Sequence, residues 1–283
     1  MAQAPPVVLS IAGFDPSSGA GVTADVKTIA AHGCYGVACI TALTVQSTSG
    51  VVRVEPVSSD IIAETLRVLA ADLDIAAVKI GMLGSAKVVR AVVEFLSDSE
   101  MPNVVLDPIL RSSSGAQLLD AAGAKLMRDR LVPLATVVTP NVDEAAALTG
   151  LRVGDAQEMN SAADKLHALG AQNVVVTGGH LEKAIDLLSF RTSSGKIEKE
   201  LFKAERRRSK STHGTGCAFA SAMACHLALG RGLPEAVLLA KAYVTAAIAN
   251  GQSLGRGTGP VHHLYRMEQQ QRRVQVHESE QVN

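Results

Sequence analysis

Val7-Val-Leu-Ser-Ile-Ala12 leads directly into Gly13-Phe-Asp-Pro-Ser-Ser-Gly-Ala-Gly21. The first six residues form a short, β-branched run, the pattern of a strand buried on both faces. The next nine are a loop of Gly, Ser and Asp. A helix follows, because Val22, Val26, Ile29 and Ala30 fall on one face, and Gly33 stops it.

This strand–loop–helix unit recurs along the chain. Strands are predicted at Val37–Ala42, Ala77–Ile80, Val104–Leu106, Val137–Thr139 and Asn173–Val176. Helices are predicted at Ile61–Leu69, Lys87–Leu96, Ala121–Leu131, Asp143–Leu148 and Met159–Leu169. Such alternation predicts right-handed crossovers and a mainly parallel sheet with helices on both faces. Three segments break the rhythm. Thr44 to Val54 is polar and β-prone with Gly50 inside it, and reads as a projecting ribbon or flap. Ala184–Arg191 and Lys196–Ala204 read as antiparallel strands about the turn Ser193-Ser-Gly195. Two Ala-rich helices, about 216–229 and 233–252, close the fold. No linker divides the chain, so residues 1–267 form one domain, and the Gln/Arg/Glu-rich residues 268–283 read as a disordered tail.

Composition bounds the function. Of 283 residues, 47% are hydrophobic and 19% charged, enough for a sizeable core, and with 3% aromatics and no Trp that core is built from small residues. The 27 basic and 27 acidic residues cancel, so no global field draws nucleic acid or a membrane surface. The short run Arg206-Arg-Arg-Ser-Lys210 is either a solvated strand end or a local attraction for phosphate. Cys34, Cys39, Cys217 and Cys225 show no metal-ligand spacing and suggest reduced thiols in a cytoplasmic protein. The start of the chain lacks the basic and apolar regions of a signal peptide, and no apolar run reaches membrane-spanning length.

In doubly wound sheets ligands bind at the carboxyl ends of the strands. Polar features cluster there: Gly13–Gly21, Gln46, Gly81-Met82, Asp107-Pro108, Asn141–Glu144 and Thr177-Gly-Gly-His180. The richest stretch comes late, Ser211-Thr-His-Gly-Thr-Gly-Cys-Ala-Phe-Ala-Ser-Ala-Met223. Gly214 and Gly216 permit a tight turn, and the first N–H groups of the helix behind it point at whatever sits there, which suits an anion. Cys217 falls in the first turn, where that field would lower a thiol pKa. A glycine helix cap with a structural Cys fits the same residues. Asn141 and Glu144 share a face of a helix start; both could hold water around a Mg²⁺, or simply cap the helix. No Walker lysine motif, GxGxxG or HExxH is present, and His262-His263 reads as a surface pair.

Taken together, seven collinear blocks resemble the hydroxymethylpyrimidine/phosphomethylpyrimidine kinases of thiamine biosynthesis, within the ribokinase-like superfamily. They are Ser10–Gly21, Ile40–Gln46, Lys79–Leu83, Thr139–Ala145, Thr177–His180, Thr212–Cys217 and Gly257–His263. The resemblance implies a ribokinase-like three-layer α/β/α sandwich, a mostly parallel central sheet with a small β flap, a homodimer, and Mg²⁺·ATP as phosphoryl donor. It implies that Gly13, Ala20, Gln46, Met82 and Ile109 line an aminopyrimidine pocket. Gln46 carries the donor and acceptor that such an edge needs, and Met82 is a polarisable partner for a ring face or else a core filler. It places the anion hole on Gly214, Thr215, Gly216 and Cys217, with Cys217 as base where most sugar kinases of the superfamily have Asp. It places Asn141 and Glu144 on the hydrated Mg²⁺ with Asp107 nearby, and Thr177 and Lys241 near the nucleotide phosphates, although Lys241 alone reads equally as an exposed lysine.

Two positions depart from the pattern. Thr177 stands where many relatives have Lys, so a cationic phosphate contact is exchanged for a hydroxyl. Ile109-Leu110 precede Arg111-Ser-Ser-Ser-Gly115, and Arg111 could reach a second phosphate. The activity implied is ATP-dependent phosphorylation of 4-amino-5-hydroxymethyl-2-methylpyrimidine to its monophosphate and then its pyrophosphate. The rival readings are a pyridoxal/pyridoxine kinase of the same fold and a non-catalytic pyrimidine-binding regulator.

Overall fold

The computed structural model describes residues 4–179, 184–204 and 209–269. His180, residues 206–208 of the basic run and residues 270–283 of the expected tail lie outside them. In chain order the elements are β1 (Val7–Phe14), α1 (Gly21–Ala31), β2 (Tyr35–Ser47), β3 (Gly50–Pro56), α2 (Ser59–Asp72), β4 (Ile75–Ile80), α3 (Ala86–Asp98), β5 (Val104–Leu106) and α4 (Ala121–Leu126). They continue as β6 (Val137–Val138), α5 (Val142–Thr149), α6 (Ala156–Ala168), β7 (Val174–Gly178), β8 (Ala184–Arg191), β9 (Ile197–Ala204), β10 (Ser211–His213), α7 (Thr215–Ala228), α8 (Leu233–Ala249) and β11 (Gly259–Pro260).

Nine strands form one sheet in the order β3-β2-β1-β4-β5-β6-β7-β8-β9. From β2 to β7 every pairing is parallel, while β3 and the β8–β9 hairpin are antiparallel additions at the two edges. Alternate strand residues feed two separate cores, as the pleat requires. Leu9, Ile11, Val78, Ile80 and Leu106 pack with α2 to α6 on one face. Val8, Ala77, Val105, Val137 and Val175 pack with α1, α7 and α8 on the other. The result is the expected three-layer sandwich. Ala218, Ala220, Ala222 and Ala224 are all fully buried on α7, so the abundance of alanine reflects a helix pressed against both the sheet and α8.

The helix starts are locally encoded. Ser58, Ser85, Asp120 and Asp155 each accept an N–H bond from the first turn of the helix that follows. The ribbon expected over Thr44–Val54 is the end of β2, which runs beyond Ala42 to Ser47 and turns back as β3 to Pro56.

Two expectations need correcting. The helix expected over Ala121–Leu131 is α-helical only to Leu126; a π turn follows over Met127–Leu131, then a 3-10 turn containing Pro133. Proline cannot donate to the ladder and its ring crowds the carbonyl four residues back. The wider turn accommodates it while keeping Met127 and Leu131 fully buried. His263 is not a surface residue. It is buried, and burial holds its pKa down to about 4. Residues 265–269 form a helical turn, and the Glu268 carboxylate bonds His262 at 2.6 Å.

Candidate active site

The sheet order reverses at β1, which has β2 on one side and β4 on the other. Loops leaving β1 and β4 therefore diverge and open a crevice at the carboxyl end of the sheet. Gly13 is the penultimate residue of β1 and Met82 follows β4. A Cβ at Gly13 would lie 3.0 Å from the Met82 sulfur, so only glycine leaves that surface open. Met82 packs with Ala42 and Leu118, flanked by Ile109, Val51 and Val54 from beneath the ribbon. The structure thus joins Gly13, Met82 and Ile109 into one small apolar platform.

Gln46 stands at its rim. The Thr44 hydroxyl donates to the Phe14 carbonyl at 2.9 Å and lies 3.2 Å from Gln46 Oε1, and the Gln46 amide nitrogen lies 3.3 Å from His213 Nε2. That ring nitrogen also meets Asp15 Oδ2 at 2.8 Å. The two contacts compete for one nitrogen, and the shorter bond to the carboxylate prevails. The Gln46 amide N–H groups therefore stay free to bond a ligand.

Asp15 organises the loop after β1. Its Oδ1 accepts from the N–H and hydroxyl of Ser17, and its Oδ2 from the Ala20 N–H and His213. Burial pushes its carboxyl up, but these bonds outweigh burial and the net shift is downward. Ala20 is held in this way directly ahead of α1. Neither Asp15 nor His213 was singled out from sequence. The chain hides the pair because its members lie 198 positions apart.

The anion turn lies beside this loop. Gly214 precedes α7 with φ +80° and no side-chain cap. A Cβ there would run into the Gly19 carbonyl, so glycine is demanded by backbone conformation and space together. The N–H groups of Thr215, Gly216 and Cys217 are the unpaired donors of the helix start. Across the turn, a Cβ on Gly216 would lie 3.7 Å from Asp107 Oδ2.

Beneath the turn is a buried set of charges that sequence reading missed. Lys79 and Asp25 form an ion pair at 2.9 Å with neither side chain exposed. Asp25 also accepts from Ser10 at 2.6 Å and Ser221 at 2.8 Å. A lone lysine inside the apolar strand Ala77-Val-Lys-Ile80 was the visible signal.

The thiol of Cys217 does not behave as its helix position suggested. Burial pushes it up to about 12, and the nearby Lys79 ammonium offsets only part of that. A turn of helix dipole is outweighed by loss of water, so the resting group is a thiol and the expected lowering is overturned.

Asn141 and Glu144 form a reciprocal capping box at the start of α5: Asn141 Oδ1 accepts from the Glu144 N–H, and Glu144 Oε2 accepts from the Asn141 N–H, both at 2.9 Å. The capping role is thus fully realised, and it uses one lone pair of the Asn141 side-chain carbonyl. Burial raises Glu144 to about 8, with Asp107 adding to the effect, and burial raises Asp107 to about 6 against the pull of Lys79. Asp107 Oδ2 is buried without a hydrogen-bond partner. Two hard, mutually repelling carboxylates with an unsatisfied oxygen fit a divalent cation that keeps most of its ligands as water and phosphate. Among the described residues, no group of three or more His, Cys, Asp or Glu is arranged to hold a metal, so this pair would supply only part of a shell.

Thr177 bridges to Asn141 and donates its N–H to the Pro140 carbonyl. Lys241 is neither exposed nor free: it pairs with Asp186 at 2.6 Å, and the other Asp186 oxygen accepts from the Gly178 N–H. Lys241 is thereby fastened to the end of β7, one residue from Thr177.

The family model described as phosphomethylpyrimidine kinase matches residues 15–262. The hydroxymethylpyrimidine/phosphomethylpyrimidine kinase of Streptomyces coelicolor is 43% identical, over 92% of this chain and 94% of its own. The thiamine biosynthesis bifunctional protein ThiED of Geobacter sulfurreducens is also 43% identical over 91% of this chain, which spans 52% of that longer protein. Among solved structures, the Bacillus subtilis pyridoxal kinase in its ADP complex aligns with a TM-score of 0.84 at 34% identity, covering 93% of this chain and 100% of that one.

Proposed function

The chain belongs to the phosphomethylpyrimidine kinase family, and on that premise we propose that it transfers phosphoryl groups from ATP to 4-amino-5-hydroxymethyl-2-methylpyrimidine and then to the resulting monophosphate. The observation that carries this reading is the convergence of a free Gln46 amide and the Gly13–Met82–Ile109 platform on the same end of the sheet as the uncapped start of α7. A carboxamide offers one donor and one acceptor to an aminopyrimidine edge, and the platform offers a ring face a sulfur and an aliphatic surface.

Phosphoryl transfer asks chiefly for positioning and charge stabilisation. The N–H groups of Thr215, Gly216 and Cys217 would receive the moving phosphoryl, with the α7 dipole behind them. Asp107 and Glu144 would hold Mg²⁺, which supplies charge neutralisation on the nucleotide phosphates. Thr177 would contribute a hydroxyl beside the anchored Lys241. Cys217 would take the proton of the acceptor hydroxyl only as its thiolate, after losing its own proton to solvent, a form that burial disfavours and the Lys79 ammonium favours.

The exposed Ile40, Leu43, Val45 and Val52 of the ribbon support a homodimer. No helix among the described residues is long and apolar enough to cross a membrane, in keeping with a cytoplasmic, single-domain kinase. A coupled assay of ADP release against a panel of hydroxymethylated pyrimidines and pyridines tests the reading. The likeness to a pyridoxal kinase favours a second one, and pyridoxal preferred by a wide margin would replace the first. No ADP release with any acceptor would leave only a binding protein.

A further inference from the structure

An open cavity of about 120 Å³ lies beyond Gln46, well above the roughly 10–15 Å³ that one water requires. Its walls are the ribbon turn 47–50, residues 112–114, Gly257-Thr258, Gln46 and His213. These segments brace one another. The Thr258 N–H donates to the Thr48 carbonyl at 3.0 Å, and a Cβ on Gly50 would lie 3.3 Å from Ser114 Oγ. Seven of the lining residues are Ser or Thr, and none carries a carboxylate. The one ionisable side chain is His213, with Nε2 committed to Asp15 and Nδ1 turned towards Ser113 Oγ at 3.4 Å. Hydroxyl donors around an imidazole, with no acid, suit a phosphate group rather than a cation or an apolar substituent.

The location gives that phosphate a role. His213 is the residue immediately before Gly214, so the cavity borders the anion turn while sharing Gln46 with the pyrimidine platform. An acceptor monophosphate presents one oxygen to the γ-phosphorus, where the new P–O bond forms and ADP leaves with the bond it breaks. Its other two oxygens carry charge, and they need donors outside the path of transfer. We propose that this hydroxyl-lined cavity is a subsite for the phosphate of the phosphorylated acceptor, engaged in the second transfer and idle in the first. This rests on the kinase reading above.

Steady-state kinetics with 4-amino-5-hydroxymethyl-2-methylpyrimidine and with its monophosphate, on wild type, Ser113→Ala, Ser49→Ala and Ser113→Asp, test it. The alanine variants should raise KM for the monophosphate about tenfold, the loss of one hydrogen bond to a charged group. They should leave KM for the unphosphorylated acceptor and for ATP unchanged. Ser113→Asp should abolish the second step and spare the first, and retained first-step turnover reports that each variant is folded. Equal effects on both acceptors would overturn the subsite. A change confined to the KM of ATP would assign the cavity to the nucleotide instead. Wild-type protein that turns over neither acceptor would overturn the kinase reading itself, and the subsite with it.

Discussion

Lys79 and Asp25 meet at 2.9 Å in a place where neither side chain has any exposure. With Ser10 and Ser221 also bonded to Asp25, the pair fastens β1, β4, α1 and α7 together directly under the anion turn. A buried pair is weak evidence of net stability, but removing one partner strands the other charge. Lys79→Met should therefore lower unfolding free energy by about 3–5 kcal/mol, read by urea denaturation. Replacing Asp25 by Leu in the same chain should recover part of it. A single variant as stable as wild type would show that the charge has a route to water.

Much of this arrangement was legible in advance, and the remainder was hidden for identifiable reasons. Short apolar strands and the Gly-Thr-Gly-Cys turn are local signals, so the layers and the glycine turn ahead of α7 could be read from the chain. The Asp15–His213 and Asp25–Lys79 pairs are long-range, and nothing local names either partner. Lys241 looked free because Asp186 lies 55 positions away. The thiol of Cys217 went the other way from expectation because the dipole is set by sequence-local structure, whereas burial is set by the whole fold.

Glu144 and Asp107 carry a pH dependence of definite sign. Both carboxyls sit above their ordinary values, at about 8 and about 6, so the folded protein binds more protons than the unfolded chain between pH 4 and 8. Stability of the ligand-free protein should fall as pH rises through that window. The cation site proposed on this pair needs both carboxyls ionised, so Mg²⁺ with nucleotide should raise the melting temperature more at pH 8 than at pH 6. Melting curves of wild type and Glu144→Gln check both points. The variant should lose the part of the slope above pH 6 and most of the response to Mg²⁺.

Gly214 permits a single-atom test of the anion turn. Its φ of +80° and the Gly19 carbonyl against its α-carbon leave no place for a Cβ. Gly214→Ala should cost about 1–2 kcal/mol from the left-handed backbone alone, and it should push the loop after β1 away from α7. Turnover should fall by at least about a hundredfold, while Gly230→Ala, equally left-handed at φ +77° with open space around it, should pay only the backbone cost and keep its activity. Similar losses at both glycines would mean that strain, not the turn's contact with Gly19, governs function.

Cys217 separates the two transfers. The first acceptor is a neutral hydroxymethyl group that must lose a proton, whereas the second is a phosphate whose upper pKa lies near 6 and which is ionised at neutral pH. A thiol held near 12 is not itself a base; only its thiolate, a minor form at neutral pH, can receive the proton while the oxygen–phosphorus bond forms. Cys217→Ala should then slow the first transfer by about 10²–10⁴, the range of general-base contributions, and slow the second far less. Single-turnover measurements with each acceptor at saturating ATP read the two rates separately. Loss of both in equal measure would confine Cys217 to shaping the anion turn, and a fully active variant would remove it from the chemistry altogether.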